Sequence, residues 1–352
     1  MTLVGDIGGT NTTIALVERS DGRFVLRARE RFNTARLQNA EEAISRFRTG
    51  HQAAFERVDR CCLSAAGPVK ERVCRMTNVP FRIDGAKIEE ATGVRTFIIN
   101  DFSAICYALP LLESHPSIES VALPHTDGTV PKPHGAVRAV VGAGTGLGTG
   151  YLIEDRGHFT AHPSEGGHSD FAAEDDITRE FDRYLRNRLA SGTVSPDTGT
   201  TDSGREPDAE SYVSGQGIAN AFGFFVDTGR LERDATVARI ADGDPRDIPE
   251  AVSRNAATHT GLGRIMDLFV TLYARYARNT ALFFLPRGGL YLAGGIAAKN
   301  ERWFTDEHRF MRTFEKHTND KIAPLLMDVP VFLVKDYDIS LYGAAHAAHS
   351  LM

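Results

Sequence analysis

The sequence predicts an α/β protein of two related lobes, and three observations carry that prediction. The 352 residues exceed the usual size of one domain. A strand, a glycine-rich turn and a second strand open the chain, and the same plan restarts near residue 139. Strand patterns fill the opening stretch, whereas helical spacing dominates the second half.

The elements follow in order. Leu3–Ile7, Thr12–Val17 and Phe24–Phe32 are β-rich runs separated by glycine-containing turns. Residues 39–55 carry Ala43, Ile44, Phe47, Ala54 and Phe55 at helical spacing, which predicts one helix. Val58–Ala66 and Val73–Met76 return to strand. Asp84–Thr92 reads as a short helix with Asp84 as its N-cap. Thr96–Ile99 is a strand running into Asn100 and Asp101, with a helix through Leu109 behind it. Ala139–Val141 and Thr149–Glu154 are strands flanking the turn Gly142-Ala143-Gly144-Thr145-Gly146-Leu147-Gly148. Beyond it lie predicted helices at Glu174–Ala190, Gly217–Thr228, Arg246–Thr258 and Thr260–Leu285. Leu290–Ala293 and Val329–Val334 are strands, and Ile339–Leu351 is a closing helix rich in alanine. Ser191–Pro207, rich in Ser, Thr, Gly, Asp and Pro, reads as an exposed loop.

Composition excludes several function classes. Apolar residues make up 42% and charged residues 24%, a globular balance that supports a sizeable core. The net charge of -6 and the lack of a Lys/Arg stripe argue against nucleic acid as a partner and for a small molecule. No apolar run reaches the ~20 residues that span a bilayer. Met1 to Asp6 has neither a basic n-region nor a cleavage site, so a cytoplasmic location is expected. The four cysteines, Cys61, Cys62, Cys74 and Cys106, show no metal-binding spacing and read as reduced core thiols.

Two common phosphate motifs fail. A P-loop requires a Gly-Lys pair, and the chain contains none. A dinucleotide fingerprint requires glycine at the sixth place of its turn. From Gly142 that place is Leu147, and from Gly144 it is Thr149. What remains is a hairpin clamp in which glycines with positive φ bring successive N–H groups close to an anion. Gly8, Gly9, Thr10 and Asn11 form one such turn, and Gly144, Thr145 and Gly146 form the other. Asp6, just before the first turn, is placed to hold Mg2+ through water. Asp101 stands where an apolar strand ends; it is a candidate base or, alternatively, the cap of the next helix. Glu165 and His168, separated by two glycines after a Pro-Ser turn, offer the donor and acceptor set that sugar hydroxyls require. Metal binding is the rival reading of that pair, but no third ligand has suitable spacing.

These motifs, in this order, resemble the bacterial-type glucokinase family of the actin/hexokinase/Hsp70 superfamily. The match runs through Gly5–Asn11, Met76-Thr77-Asn78, Ile99-Asn100-Asp101-Phe102, Gly142–Gly148, Glu165–Ala172, Ser214-Gly215 and Ala293-Gly294-Gly295-Ile296. The resemblance implies an actin/hexokinase-like fold, each lobe a mixed sheet with flanking helices and an active-site cleft between. It implies a small domain of residues 1–101 plus 338–352 and a large domain of residues 102–337. It implies ATP and Mg2+ as cofactors, with both glycine turns on the phosphates and Gly294 and Gly295 beside the adenosine. It implies glucose contacts from Asn78, Asn100, Asp101, Glu165, His168 and Glu210, with Asp101 as base toward the 6-hydroxyl. A homodimer is a further expectation from the family. Two departures stand out: Thr12-Thr13 occupies the place where the family often has Ala-Arg, and the 191–207 loop looks long. The alternatives are a kinase for another hexose, a non-catalytic sugar sensor, and a structural ATPase. The acid at Asp101 speaks against the sensor, and the Glu165/His168 pair has no purpose in the ATPase.

Overall fold

Residues Thr2–Ile7 (β1) are buried at every position but Asp6, because β1 has strands on both sides. β1 pairs antiparallel with Asn11–Ser20 (β2), which pairs with Arg23–Asn33 (β3). The helices Ala40–Gly50 (α1) and Gln52–Phe55 (α2) follow. The single helix predicted over 39–55 breaks at His51, whose φ of -133° and ψ of 32° are not helical. Arg60–Ala65 (β4) then returns parallel to β1. Val69–Lys70 (β5), Val73–Arg75 (β6) and Arg82–Asp84 (β7) make a small separate sheet. Gly85–Thr92 (α3) is capped by the Asp84 carboxylate, as predicted, and leads to Thr96–Asn100 (β8). The first large sheet has the order β3-β2-β1-β4-β8.

Asp101–Leu112 (α4) starts directly at the end of β8. The second large sheet comprises Ser120–Ala122 (β9), Val137–Ala143 (β10), Leu147–Asp155 (β11), His158–Ser164 (β12), Leu290–Ala293 (β13) and Val331–Val334 (β14). Its order is β12-β11-β10-β13-β14-β9. β10 has an antiparallel hairpin partner on one side and a parallel strand on the other, just as β1 does. The repeat read from the glycine turns is therefore a repeat of strand pairing. β12 was not anticipated, and Pro163 and Ser164, read as a turn, are the last residues of that strand.

Between β12 and β13 lie Asp176–Ala190 (α5), Gly215–Asp227 (α6), Ala235–Ala241 (α7), Ile248–Asn255 (α8) and Thr260–Phe284 (α9). The helix predicted from Arg246 begins at Ile248, because Asp244 caps a separate 3-10 turn at Pro245–Asp247 first. α9 is the longest helix at 25 residues, and its buried face joins the largest apolar cluster with α5, α6 and β10. Gly295–Lys299 (α10), Glu301–Thr305 (α11), Arg309–Phe314 (α12) and Ala323–Met327 (α13) precede β14, and Ile339–Ser350 (α14) closes the fold.

This computed structural model describes residues 1–76, 81–112, 118–191, 206–336 and 338–351. Asn78 and most of the 191–207 loop lie outside the described residues. α14 packs against α4, and both reach the two large sheets: Val4, Ala15, Ala104, Tyr107, Val140 and Ala344 share one apolar cluster. A Cβ at Gly343 would overlap the Ala104 carbonyl, so glycine permits this close helix crossing. Among the described residues no helix is long and apolar enough to cross a membrane.

Candidate active site

The first glycine turn joins β1 to β2. The Gly8 N–H donates to the Asn11 carbonyl at 2.9 Å. Thr34, just after β3, staples the turn from outside. Its N–H donates to the Thr10 carbonyl at 3.0 Å and its hydroxyl to the Gly8 carbonyl at 2.8 Å. Asp6, next to last in β1, accepts from the Ser340 hydroxyl at 2.8 Å and the Ser64 hydroxyl at 3.3 Å. Burial raises the proton affinity of Asp6; the two serines oppose this, and the charge of Asp338 adds to it.

Mg2+ prefers oxygen ligands and is usually held by one or two carboxylates together with waters and substrate phosphates. Asp6 fits that demand, with Asp338 and Asp101 close enough to perturb the local field. Among the described residues no group of three or more His, Cys, Asp or Glu side chains forms a complete cage.

Asp101 is the first residue of α4. The helix cap is Asn100: its Oδ1 accepts from the Phe102 N–H at 2.9 Å and the Ser103 N–H at 3.3 Å. The Asn100 amide donates to the Gly67 carbonyl at 3.3 Å, which leaves one N–H for a ligand. Asp101 is thereby freed from capping alone, although its Oδ1 also accepts from the Phe102 N–H at 3.0 Å. Burial pushes the Asp101 carboxyl up to about 6; the Phe102 hydrogen bond opposes this and the charge of Asp6 adds to it.

Phe102 fixes where Asp101 stands. Its ring fills a slot made by Gly142 and Gly148, which face each other in the β10–β11 ladder. A Cβ at Gly142 would come within 2.8 Å of the ring, and one at Gly148 would overlap it.

The second glycine turn joins β10 to β11. The Gly144 N–H donates to the Gly146 carbonyl at 2.8 Å. The Gly144 carbonyl in turn accepts from the Gly215 N–H at 2.8 Å, so α6 begins against this turn. Its N-cap Ser214 accepts from the Gly217 N–H at 3.1 Å. Glu210 accepts from the Leu147 N–H at 2.8 Å, and a Cβ at Gly146 would sit 2.5 Å from that carboxylate. The expected reason for the glycines needs correction here. Gly8, Gly9, Gly144, Gly146 and Gly295 do not adopt positive φ; of the predicted glycines only Gly294 does, at 91°. At Gly146 the requirement is room for Glu210.

Glu165 and His168 bracket a short 3-10 turn after β12, and both are exposed. The His168 Nδ1 lies 2.8 Å from Asp208 Oδ2. That hydrogen bond raises the proton affinity of His168, as do the charges of Glu210 and Glu165. The predicted sugar contacts Glu165, His168 and Glu210 are therefore brought together. Asn100 and Glu165 also line one cavity of about 460 Å³, together with Pro68, Ser103 and Ser164. Further along the chain, Asp175 and Glu174 pair with the buried Arg275 and Arg278 of α9.

A second cavity of about 440 Å³ adjoins the second turn. Gly144, Thr145 and Gly295 form one end, and Gln216, Lys299 and Asn300 supply polar groups. Asn300 is held by the Ser253 hydroxyl at 2.6 Å. This size suits a nucleoside. Sequence reasoning did not find Thr34, Ser64, Ser340 or Asp208. The only local sign of Thr34 is Asn33 before it, which caps the 3-10 turn Thr34–Arg36, and the others had none.

Two large sheets, each with a glycine hairpin on a central strand that has one antiparallel and one parallel neighbour, define the actin/hexokinase-like fold class. The crystal structure of a glucokinase from an Antarctic psychrotroph superposes with a TM-score of 0.77 at 25% identity, covering 99% of this chain and 98% of its own. Sequence relationships narrow the class. The glucokinase family model matches residues 3–351. A glucokinase of Pectobacterium atrosepticum is 32% identical, over 97% of this chain and 95% of its own length. One from Synechocystis is 31% identical, over 98% and 97%. The chain belongs to the glucokinase family, whose members are phosphotransferases with an alcohol acceptor.

Proposed function

We propose that this protein phosphorylates the 6-hydroxyl of glucose with ATP and Mg2+, and that Asp101 is the base. The observation that carries the reading is the Asp101 carboxyl. It is held at the end of β8 with its proton affinity pushed up to about 6, so it is ionised at neutral pH yet basic enough to take a proton.

Glucose lies between Asn100 and Asp101 on one side and Glu165, His168 and Glu210 on the other. Asp101 takes the proton of the 6-hydroxyl as that oxygen forms its bond to the γ-phosphorus. The bond from phosphorus to the bridging oxygen breaks, and its electron pair leaves with ADP. The turns at Gly8–Asn11 and Gly144–Gly146 hold the phosphates, and the start of α6 favours negative charge there. Asp6 would hold Mg2+, which would supply neutralising charge to the transferring group. The adenosine occupies the cavity lined by Gln216, Lys299 and Asn300, beside Gly294 and Gly295. In this reading residues 1–101 plus 338–352 form the small domain and residues 102–337 the large one. Closure of the two excludes water, the competing acceptor.

The test is ADP release from Mg·ATP with and without glucose, with Asp101→Ala beside the wild type. Glucose-dependent release lost in the variant supports both the reaction and the base. Equal release with and without any sugar would refute the kinase reading.

A further inference from the structure

Asp208 has no part in the reaction just described, yet it is built into the sugar side of the site. Its Oδ1 accepts from the Ser211 N–H at 3.1 Å and the Ser211 hydroxyl at 2.8 Å, capping the 3-10 turn that carries Glu210. Its Oδ2 lies 2.8 Å from His168 Nδ1. The next N–H, of Ala209, donates to the Ser169 carbonyl at 2.9 Å. The segment before Glu210 is thus tied to the turn around His168 twice, once by backbone and once by side chain. The two partners are unequal: the Asp208 side chain is 14% exposed and the His168 side chain 50%. An anchored acid holds the freer ring.

The charged groups facing that ring are Asp208, Glu210 and Glu165, all of them acids. Asp208 itself is held below the usual carboxylate range, because its hydrogen bonds to His168 and Ser211 outweigh its burial.

We propose that Asp208 is a positioning residue for sugar binding: it accepts the Nδ1 proton of His168 and so leaves Nε2 as the ring atom that meets a sugar hydroxyl. This rests on the reading of His168 as a sugar contact. With Nδ1–H committed to the carboxylate, the neutral ring offers a lone pair at Nε2 and the protonated ring offers an N–H there. The sugar hydroxyl donates its proton to that Nε2 lone pair in the neutral ring, and this acceptance is lost when Nε2 carries the proton instead. As an ion pair at a half-exposed site the couple contributes little to stability. Orientation is what it supplies.

Asp208→Asn separates the roles. Asparagine keeps the cap, because its Oδ1 is required by the Ser211 N–H. It then turns an amide NH2 toward Nδ1, which must become the unprotonated nitrogen. The expected result is a KM for glucose about tenfold higher, with kcat changed by less than about threefold. The melting temperature stays close to that of the wild type. In NMR spectra His168 titrates at lower pH, and in the neutral ring its proton moves to Nε2. In a His168→Ala background the same substitution changes KM by less than about twofold, since its route is gone. An active wild type with an unmoved KM in Asp208→Asn overturns the positioning role alone. A raised KM with a lowered melting temperature and an unshifted His168 resonance also overturns it, in favour of a structural role. A wild type that turns over no sugar overturns the functional reading, and this proposal with it.

Discussion

The β1–β2 and β10–β11 hairpins share a backbone plan but differ in what braces them. Each central strand has an antiparallel hairpin partner and a parallel neighbour. The first turn is stapled by Thr34 and has the Asp6 carboxylate behind it, held by Ser340 and Ser64. The second is braced by Glu210 and by the start of α6. The repeat thus preserves geometry, while groups from outside it assign the chemistry. One hairpin presents an acid suited to a cation; the other presents a helix N-terminus suited to an anion.

The largest expected effect concerns Asp101, whose carboxyl lies close enough to Asp6 of the first hairpin to feel its charge. Asp101→Asn should lower kcat by ~10²–10⁴. In the wild type kcat/KM should fall tenfold per pH unit below about 6, the value to which burial pushes this carboxyl. The variant should lack that acid limb, as pH-rate profiles will show. Stability should move the other way. A folded-state value above the unfolded one means that this group's contribution is complete below about pH 4 and is lost as pH rises through about 6. Asp101→Asn should therefore unfold at higher denaturant at pH 7, by about 1–3 kcal/mol, and show no gain near pH 4.

Next comes the glycine slot, which the first hairpin lacks. Gly148→Ala drives a methyl into the Phe102 ring and should cost about 1–3 kcal/mol, read by denaturant melts, with kcat also lowered because displacing Phe102 shifts the adjoining Asp101. At the first hairpin Gly5 faces Ile14, and an added methyl meets the flexible end of Leu63 at 2.7 Å. Gly5→Ala should cost less. An equal loss of kcat in both would show that the slot does not set the base.

The smallest effect concerns the brace on Asp6. Ser340→Ala removes one hydrogen bond, and the Mg2+ concentration for half-maximal rate should rise about fivefold with kcat little changed. Threonine at the same position should restore it. The matching change at the second hairpin, Glu210→Gln, should leave the Mg2+ dependence alone.

The motif order made the fold class and the two hairpins legible in the sequence, and Asp84 as a cap was readable from its place before a helical run. What escaped was whatever depends on distant segments meeting. Ser340 and Asp6 are 334 positions apart, and Asp208 lies 40 positions from His168. No local spacing encodes either contact. The glycines were found but misread: a positive φ was expected, whereas Gly142, Gly146 and Gly148 are small to admit Phe102 and Glu210. Sequence shows that a side chain is missing, not which neighbour takes its space. Likewise Asp101 looked like a possible cap until Asn100 was seen to take that role.

The bond from Ser340 to Asp6 also bears on how the protein is made. A ribosome adding about 5–20 residues per second needs roughly 20–60 s between those two positions. The first sheet can form once β8 has been made, but until residue 340 follows the α14 side of its acid is bare, and α4 lacks the helix that Gly343 lets approach it. A nascent chain stalled before residue 339 would carry both glycine turns while Asp6 lacks its Ser340 partner.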